Sequence, residues 1–126
     1  MKRVVIGSLV GVAMLAAIPF TLPLITQYLL IRKAEQQTQQ GKPLEAIETF
    51  QRALVTARKI QDRGSEAFVH LGMGFNYDRI DKLQEALSFY NQALIIFREI
   101  DSRGEEATTL NNIGAVYSRI GQPESA

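Results

Sequence analysis

Gln61-Asp62-Arg63-Gly64-Ser65-Glu66-Ala67 returns as Asp101-Ser102-Arg103-Gly104-Glu105-Glu106-Ala107, and this return, from position 61 to position 101, decides the fold. Working outward at the same offset, Gly74, Tyr77, Arg79 and Ile80 fall on Gly114, Tyr117, Arg119 and Ile120. Ala46, Phe50, Ala53 and Leu54 fall on Ala86, Tyr90, Ala93 and Leu94, and Gly41 falls on Asp81 and then Gly121. Self-similarity at a fixed period in this range marks a chain built from stacked supersecondary units.

Each period carries a helical pattern. Leu83, Ala86, Leu87, Tyr90, Ala93, Leu94 and Phe97 recur at intervals of three and four, one apolar stripe along a helix. Ala67, His70, Leu71, Gly74, Tyr77 and Arg79 outline the helix before it. No proline lies between Leu44 and Gln122, so nothing interrupts these helices. Gln40-Gly41-Lys42-Pro43, Ile80-Asp81-Lys82 and Gly121-Gln122-Pro123 read as turns inside hairpins, with glycine suited to a left-handed helix end and proline to the next helix start. Asp62-Arg63-Gly64 and Asp101-Ser102-Arg103-Gly104 read as joints between hairpins.

The placement of small and aromatic residues resembles the tetratricopeptide (TPR) family. The second repeat has a large and then a small residue, Met73-Gly74, followed by Tyr77, Ala86, Tyr90 and Ala93; the third has Ile113-Gly114, Tyr117 and Ala126. The first has Ala34, Ala46, Phe50 and Ala53, with Gln37 in place of the aromatic. Small residues let helices approach and aromatics fill the space beside them. The period is longer than the usual ~34 residues, Arg58 and Arg98 stand where a proline is usual, and Leu110-Asn111-Asn112-Ile113-Gly114 is similar to the kinesin light chain-type subclass. The resemblance implies an all-α solenoid of helical hairpins over residues 34–126, about two and a half repeats: repeat one at 24–63, repeat two at 64–103 and a partial repeat three at 104–126. Glu124-Ser125-Ala126 falls at the start of a further helix, so a cap or a truncated longer array are both expected readings.

Residues 1–31 are unlike the rest. Val4 to Ile31 carries no charged side chain, with Lys2 and Arg3 before it and Arg32 and Lys33 behind. As a helix this stretch runs roughly 42 Å, longer than the ~30 Å hydrocarbon core of a bilayer. A single-pass membrane anchor over residues 4–31 is the first reading; a cleaved export signal and a buried helix are the alternatives. Cleavage after Ala17 would put Leu15 where a small residue is preferred. Pro19 and Pro23 predict a kink or break near residues 15–23. Basic residues flank both ends, so the orientation stays open.

The chain has a formal charge of +1 and no cysteine. From Ala34 onward it has 10 basic and 13 acidic residues, which argues against nucleic acid, since that partner calls for a clustered basic face. A disulfide framework and a thiolate metal site are both excluded. His70 is the single histidine; a structural role, paired with Glu66 one turn away, outweighs catalysis or metal binding. Gly72-Met73-Gly74 lies within a periodic helix, and no Lys-Ser or Lys-Thr follows, so it reads as packing rather than a phosphate loop. No nucleophile–base pairing stands out; the expectation is a non-enzyme without cofactor or metal.

The resemblance implies binding of another protein or peptide in a concave groove lined by the leading helices. By position the lining would be Phe68, Leu71, Phe75, Asp78 and Arg79 from repeat two, with Thr108, Asn111, Ala115, Ser118 and Arg119 from repeat three. Arg79 and Arg119 would meet carboxylates and Asn111 a ligand backbone. The alternative is a structural element that pairs with a second copy through Ile113, Val116 and Ile120 at an open end.

Overall fold

The computed structural model describes the backbone of residues 2–122 and the side chains of residues 21–122. The described residues form helices alone: α1 (Lys2–Gln39), α2 (Pro43–Lys59), α3 (Arg63–Arg79), α4 (Leu83–Glu99) and α5 (Arg103–Ile120). The break expected at the two prolines is absent, since α1 is one element through both. Among the described residues no helix is long and apolar enough to cross a membrane. The reading of residues 4–31 as an anchor falls mainly on side chains outside those described, as do the last four residues.

Four three-residue loops link the helices, and each does the same thing with the backbone. The middle residues Gly41, Gln61, Asp81 and Asp101, evenly spaced along the chain, all take positive φ. Each loop closes with two bonds: Gln61 N–H donates to the Arg58 carbonyl at 3.2 Å and Asp62 N–H to the Ala57 carbonyl at 2.9 Å, and the other three repeat the pattern. This pairing satisfies carbonyls that a helix end would otherwise leave bare. The structural beat is thus half the sequence period. The expected joints shift by two residues, because Arg63-Gly64 and Arg103-Gly104 already form the first turns of α3 and α5. Asp62 accounts for the earlier start of α3: its carboxylate accepts the Ser65 N–H at 3.0 Å and caps the helix. Gly121 is right-handed at φ −78°, so the glycine reading holds only for Gly41.

Successive helices pack antiparallel, and α3 also touches both α1 and α5. No Cα of α2 comes within 8 Å of α4. A row of three close helices backed by two separated ones curves toward the row of three, which makes α1, α3 and α5 the concave side.

The close approach depends on two glycines in one turn of α3. A Cβ at Gly72 would stand 2.5 Å from the Phe50 ring, and one at Gly74 2.6 Å from the Tyr90 ring. Phe50 arrives from α2 and Tyr90 from α4, and both are buried. Ala34, Ala46, Ala53, Val69 and Met73 close around Phe50, while Ala86, Leu87 and Val116 close around Tyr90. Burying an aromatic of this size stabilises by about 1.5–3 kcal/mol. Val116 is therefore core rather than part of an open end, because it faces α4.

The two complete hairpin contacts solve one position differently. Tyr77 stacks on Phe89 with centroids 5.3 Å apart and planes at 3°. The equivalents one repeat earlier are Gln37 and Thr49, where the Thr49 hydroxyl donates to Gln37 Oε1 at 2.6 Å. The departure at Gln37 is thus matched by its contact partner.

Gly74→Ala and Gly114→Ala should move stability in opposite directions. The first forces a methyl into the Tyr90 ring and should cost about 1–3 kcal/mol. The second meets nothing within 4 Å and should stabilise α5 by roughly 0.5–1 kcal/mol through helix propensity. Urea titrations of both variants check this, and equal shifts would contradict the packing described.

A candidate binding groove on the concave face

The concave side holds a groove of about 400 Å³ whose floor is α3 and whose walls are α1 and α5. Phe68, Leu71, Gly72 and Phe75 form the floor, with the edge of Phe50 showing beneath Gly72. Glu35, Thr38 and Gln39 line one wall and Thr108 and Asn112 the other. Phe68 is 36% exposed and Phe75 42%, so two aromatic rings stand open here while the aromatics of the hairpin cores are covered.

Of the residues expected in the groove, Phe68, Leu71, Phe75 and Thr108 line it. Asn111, Ala115 and Ser118 are exposed on α5 but do not. Sequence reasoning placed equivalent positions of each repeat in the lining. On a curved surface the flanking helices instead show the sides that face each other, so α1 presents one set of positions and α5 another. Asn112 therefore takes the place expected of Asn111. Thr38, Gln39 and Glu35 were missed because they sit in the degenerate first repeat; the helical spacing of 35, 38 and 39 was the available signal.

Asp78, Arg79 and Arg119 lie at the helix ends, and the arginines are already engaged. Arg119 pairs with both Asp78 and Asp81. Arg79 donates to the Thr38 carbonyl at 3.1 Å, and its guanidinium lies 5.7 Å from the Phe75 ring centroid. Each arginine thus reaches back 41 positions to the preceding leading helix and ties the concave row together. A second set of staples crosses the hairpin joints, Arg58 to Glu66 at 3.4 Å and Arg98 to Glu106 at 2.9 Å. With more than half of each arginine exposed, such pairs are worth about 0–1 kcal/mol, and their consistent register matters more than their strength.

Polar groups packed behind the groove are structural. Asn76 is fully buried and donates to the Thr38 hydroxyl at 2.9 Å and the Gly72 carbonyl at 2.8 Å. Gln27 donates to Asp62 at 2.8 Å, which locks the α2–α3 loop onto α1. Burial works to raise the Asp62 pKa, but hydrogen bonds from Ser65 and Gln27 outweigh it and hold the carboxyl below its ordinary value. Burial pushes the Tyr90 phenol well above its usual range, assisted by Asp78 and opposed by Arg119. No group of three or more potential metal ligands occurs among the described residues.

His70 is 2% exposed and stacks on Phe89 with centroids 5.8 Å apart. Its Nε2 stands 3.9 Å from Glu66 Oε1, beyond hydrogen-bond reach, so the expected pairing is an electrostatic contact only. Burial lowers its pKa, Arg58 and Arg63 add to the effect, and Glu66 opposes it.

Two passes of the sequence match the family described as Tetratricopeptide repeat, residues 26–99 and residues 66–126. The chain belongs to that family. TPR repeats generally mediate protein–protein interaction, and the family is a non-enzymatic repeat scaffold. No curated protein gives a significant match. The first TPR match begins at Thr26, within the charge-free leader, in keeping with Gln27, Leu30 and Ile31 packing into the first hairpin.

The lowered pKa sets the sign of His70's own contribution to the acid response of this TPR array. Folding favours neutral His70, so its contribution is complete above the ordinary value of 6.5 and declines as pH falls below it, because the unfolded chain then binds the proton more readily. His70→Leu, which installs the residue present at the equivalent positions Leu30 and Leu110, should flatten the stability profile between about pH 5 and 7. Urea midpoints measured across that range test this; an unchanged slope would remove His70 from the acid response.

Proposed function

We propose that this TPR array binds a segment of another protein in its concave groove, an extended peptide or a helix, through apolar anchors rather than through a carboxylate clamp. The observation that carries this reading is the pair of open rings, Phe68 and Phe75, on the floor of a groove walled by polar side chains. Apolar floors with a few polar groups at the rim suit a side chain that inserts and a backbone that is held. Arg119 offers little to an acidic tail, since it is neutralised by Asp78 and Asp81, and Arg79 is held by the Thr38 carbonyl and the Phe75 ring. The long period fits the kinesin light chain-like subclass. Peptides selected on the full chain in detergent should lose about tenfold or more in affinity on Phe75→Ser and on Phe68→Ser. Retained binding by both variants, with circular dichroism unchanged, would rule the groove out.

We also propose that the leader is a membrane anchor, shorter than the charge-free stretch suggests. Gln27 is buried against Asp62, and the loop that carries Asp62 and Arg63 sits beside it, so the apolar phase must end before that level. Residues 4–26 remain, which as a helix span roughly 34 Å, close to the ~30 Å hydrocarbon core. The protein should therefore stay with membranes through carbonate extraction and keep its original N-terminus by intact mass. A mature chain beginning near Ile18 would establish the alternative, export after cleavage.

A further inference from the structure

A second hollow, of about 330 Å³, lies between α1 and the start of α3. Phe68 and Glu35 line both this hollow and the groove, so the two join into one channel along α3. Leu24, Ile31 and Phe68 give the hollow apolar sides, and its polar groups are mostly acceptors. Asp62 brings a carboxylate, and Gln27 lines the hollow with an Oε1 that is buried and has no hydrogen bond. The donors beside them are spent, since the Ser65 hydroxyl and the Gln27 amide each donate to Asp62 at 2.8 Å. Glu35, where hollow and groove meet, has neither a hydrogen bond nor an ion pair among the described residues. Of the described residues that line the groove, it alone is charged. Arg32 lines the hollow one turn earlier on α1 without pairing to Glu35, so Glu35 and Asp62 leave one negative charge in excess there.

We propose that the segment bound in the groove carries a basic side chain next to its apolar anchors, and that this side chain enters the hollow to meet Glu35. The inference rests on the groove being the binding site and adds the charge of what it takes. A segment seated on Phe68 and Phe75 covers the wall that holds Glu35. Taking a carboxylate out of water without a partner is costly, so the occupant that fits is one that brings a cation with it. Lysine and arginine supply donors and no acceptor, which suits a hollow with acceptors to spare. Their aliphatic stems can lie along Leu24, Ile31 and Phe68 while the charged head reaches the carboxylate. An acidic segment would set like charges together at Glu35.

A displayed library of random dodecamer peptides, selected on the full chain in detergent, supplies the probe. Peptides that lose binding on Phe75→Ser are the groove binders, and they should carry lysine or arginine beside apolar residues. Glu35→Lys should weaken them about tenfold with circular dichroism unchanged, because Glu35 holds no contact in the fold. Exchanging the basic residue of such a peptide for glutamate should make it bind Glu35→Lys more tightly than the parent chain. Glu48→Lys, at an exposed site on α2 outside the channel, should leave binding as it was. Groove binders without a basic residue, or undiminished by Glu35→Lys, would overturn this inference and leave the groove reading standing. Equal losses from Glu35→Lys and Glu48→Lys would make the attraction non-specific and overturn it as well. If no selected peptide depends on Phe75, the groove reading falls and this inference falls with it.

Discussion

Helix contact at bare backbone is the constraint on which the rest of this structure depends. Without a side chain at Gly72 and Gly74, α3 admits Phe50 on one side and Tyr90 on the other. One turn of one helix thereby receives the principal aromatic of both trailing helices. Remove that closeness and α3 stands off from its neighbours, the aromatics lose their seats, and the curvature that opens Phe68 and Phe75 is lost as well. Side chains in close-packed interiors tolerate little added volume, so the groove inherits its shape from atoms that are missing.

Loops set the second constraint. Three residues with a left-handed middle residue reverse the chain the same way four times, and only Gly41 occupies that position without a Cβ penalty. Gln61, Asp81 and Asp101 adopt it against their intrinsic preference, which costs about 1–2 kcal/mol each. The carbonyls satisfied at each helix end offset that strain. Identical reversals, two to each sequence repeat, make the array regular on a finer scale than its side chains do.

Much of the fold was legible because periodicity in a solenoid is written twice, along each helix and between repeats. The stripe through Leu83 to Phe97 located α4, and the return of the Arg-Gly-x-Glu-Ala run located α3 and α5. The joints were misplaced because Gly64 and Gly104 look like loop residues, whereas Asp62 and Ser102 end the loops earlier. The groove was read only in part. Phe68 and Phe75 followed from the positions that the TPR resemblance implies, but the walls depend on curvature, a global property that no single helix encodes. Val116 was placed on an open face because its contact lies with α4.

The exchange of Tyr77–Phe89 for Gln37–Thr49 bears on how a nearly repetitive chain assembles correctly. Its hairpins share alanines and aromatic seats, so a trailing helix has two docking surfaces of similar shape. Were α4 to dock on α1, the Gln37 amide would be covered by the Phe89 ring with no hydroxyl to bond. Were α2 to dock on α3, the Thr49 hydroxyl would lose Gln37 and face Tyr77. The first error leaves the Gln37 amide without its partner, the second leaves the Thr49 hydroxyl with only the Glu45 carbonyl of its own helix, and both forfeit a stacked pair. Two side chains per interface thus act as an address, steering each helix to its own neighbour during folding while the shared residues supply most of the adhesion.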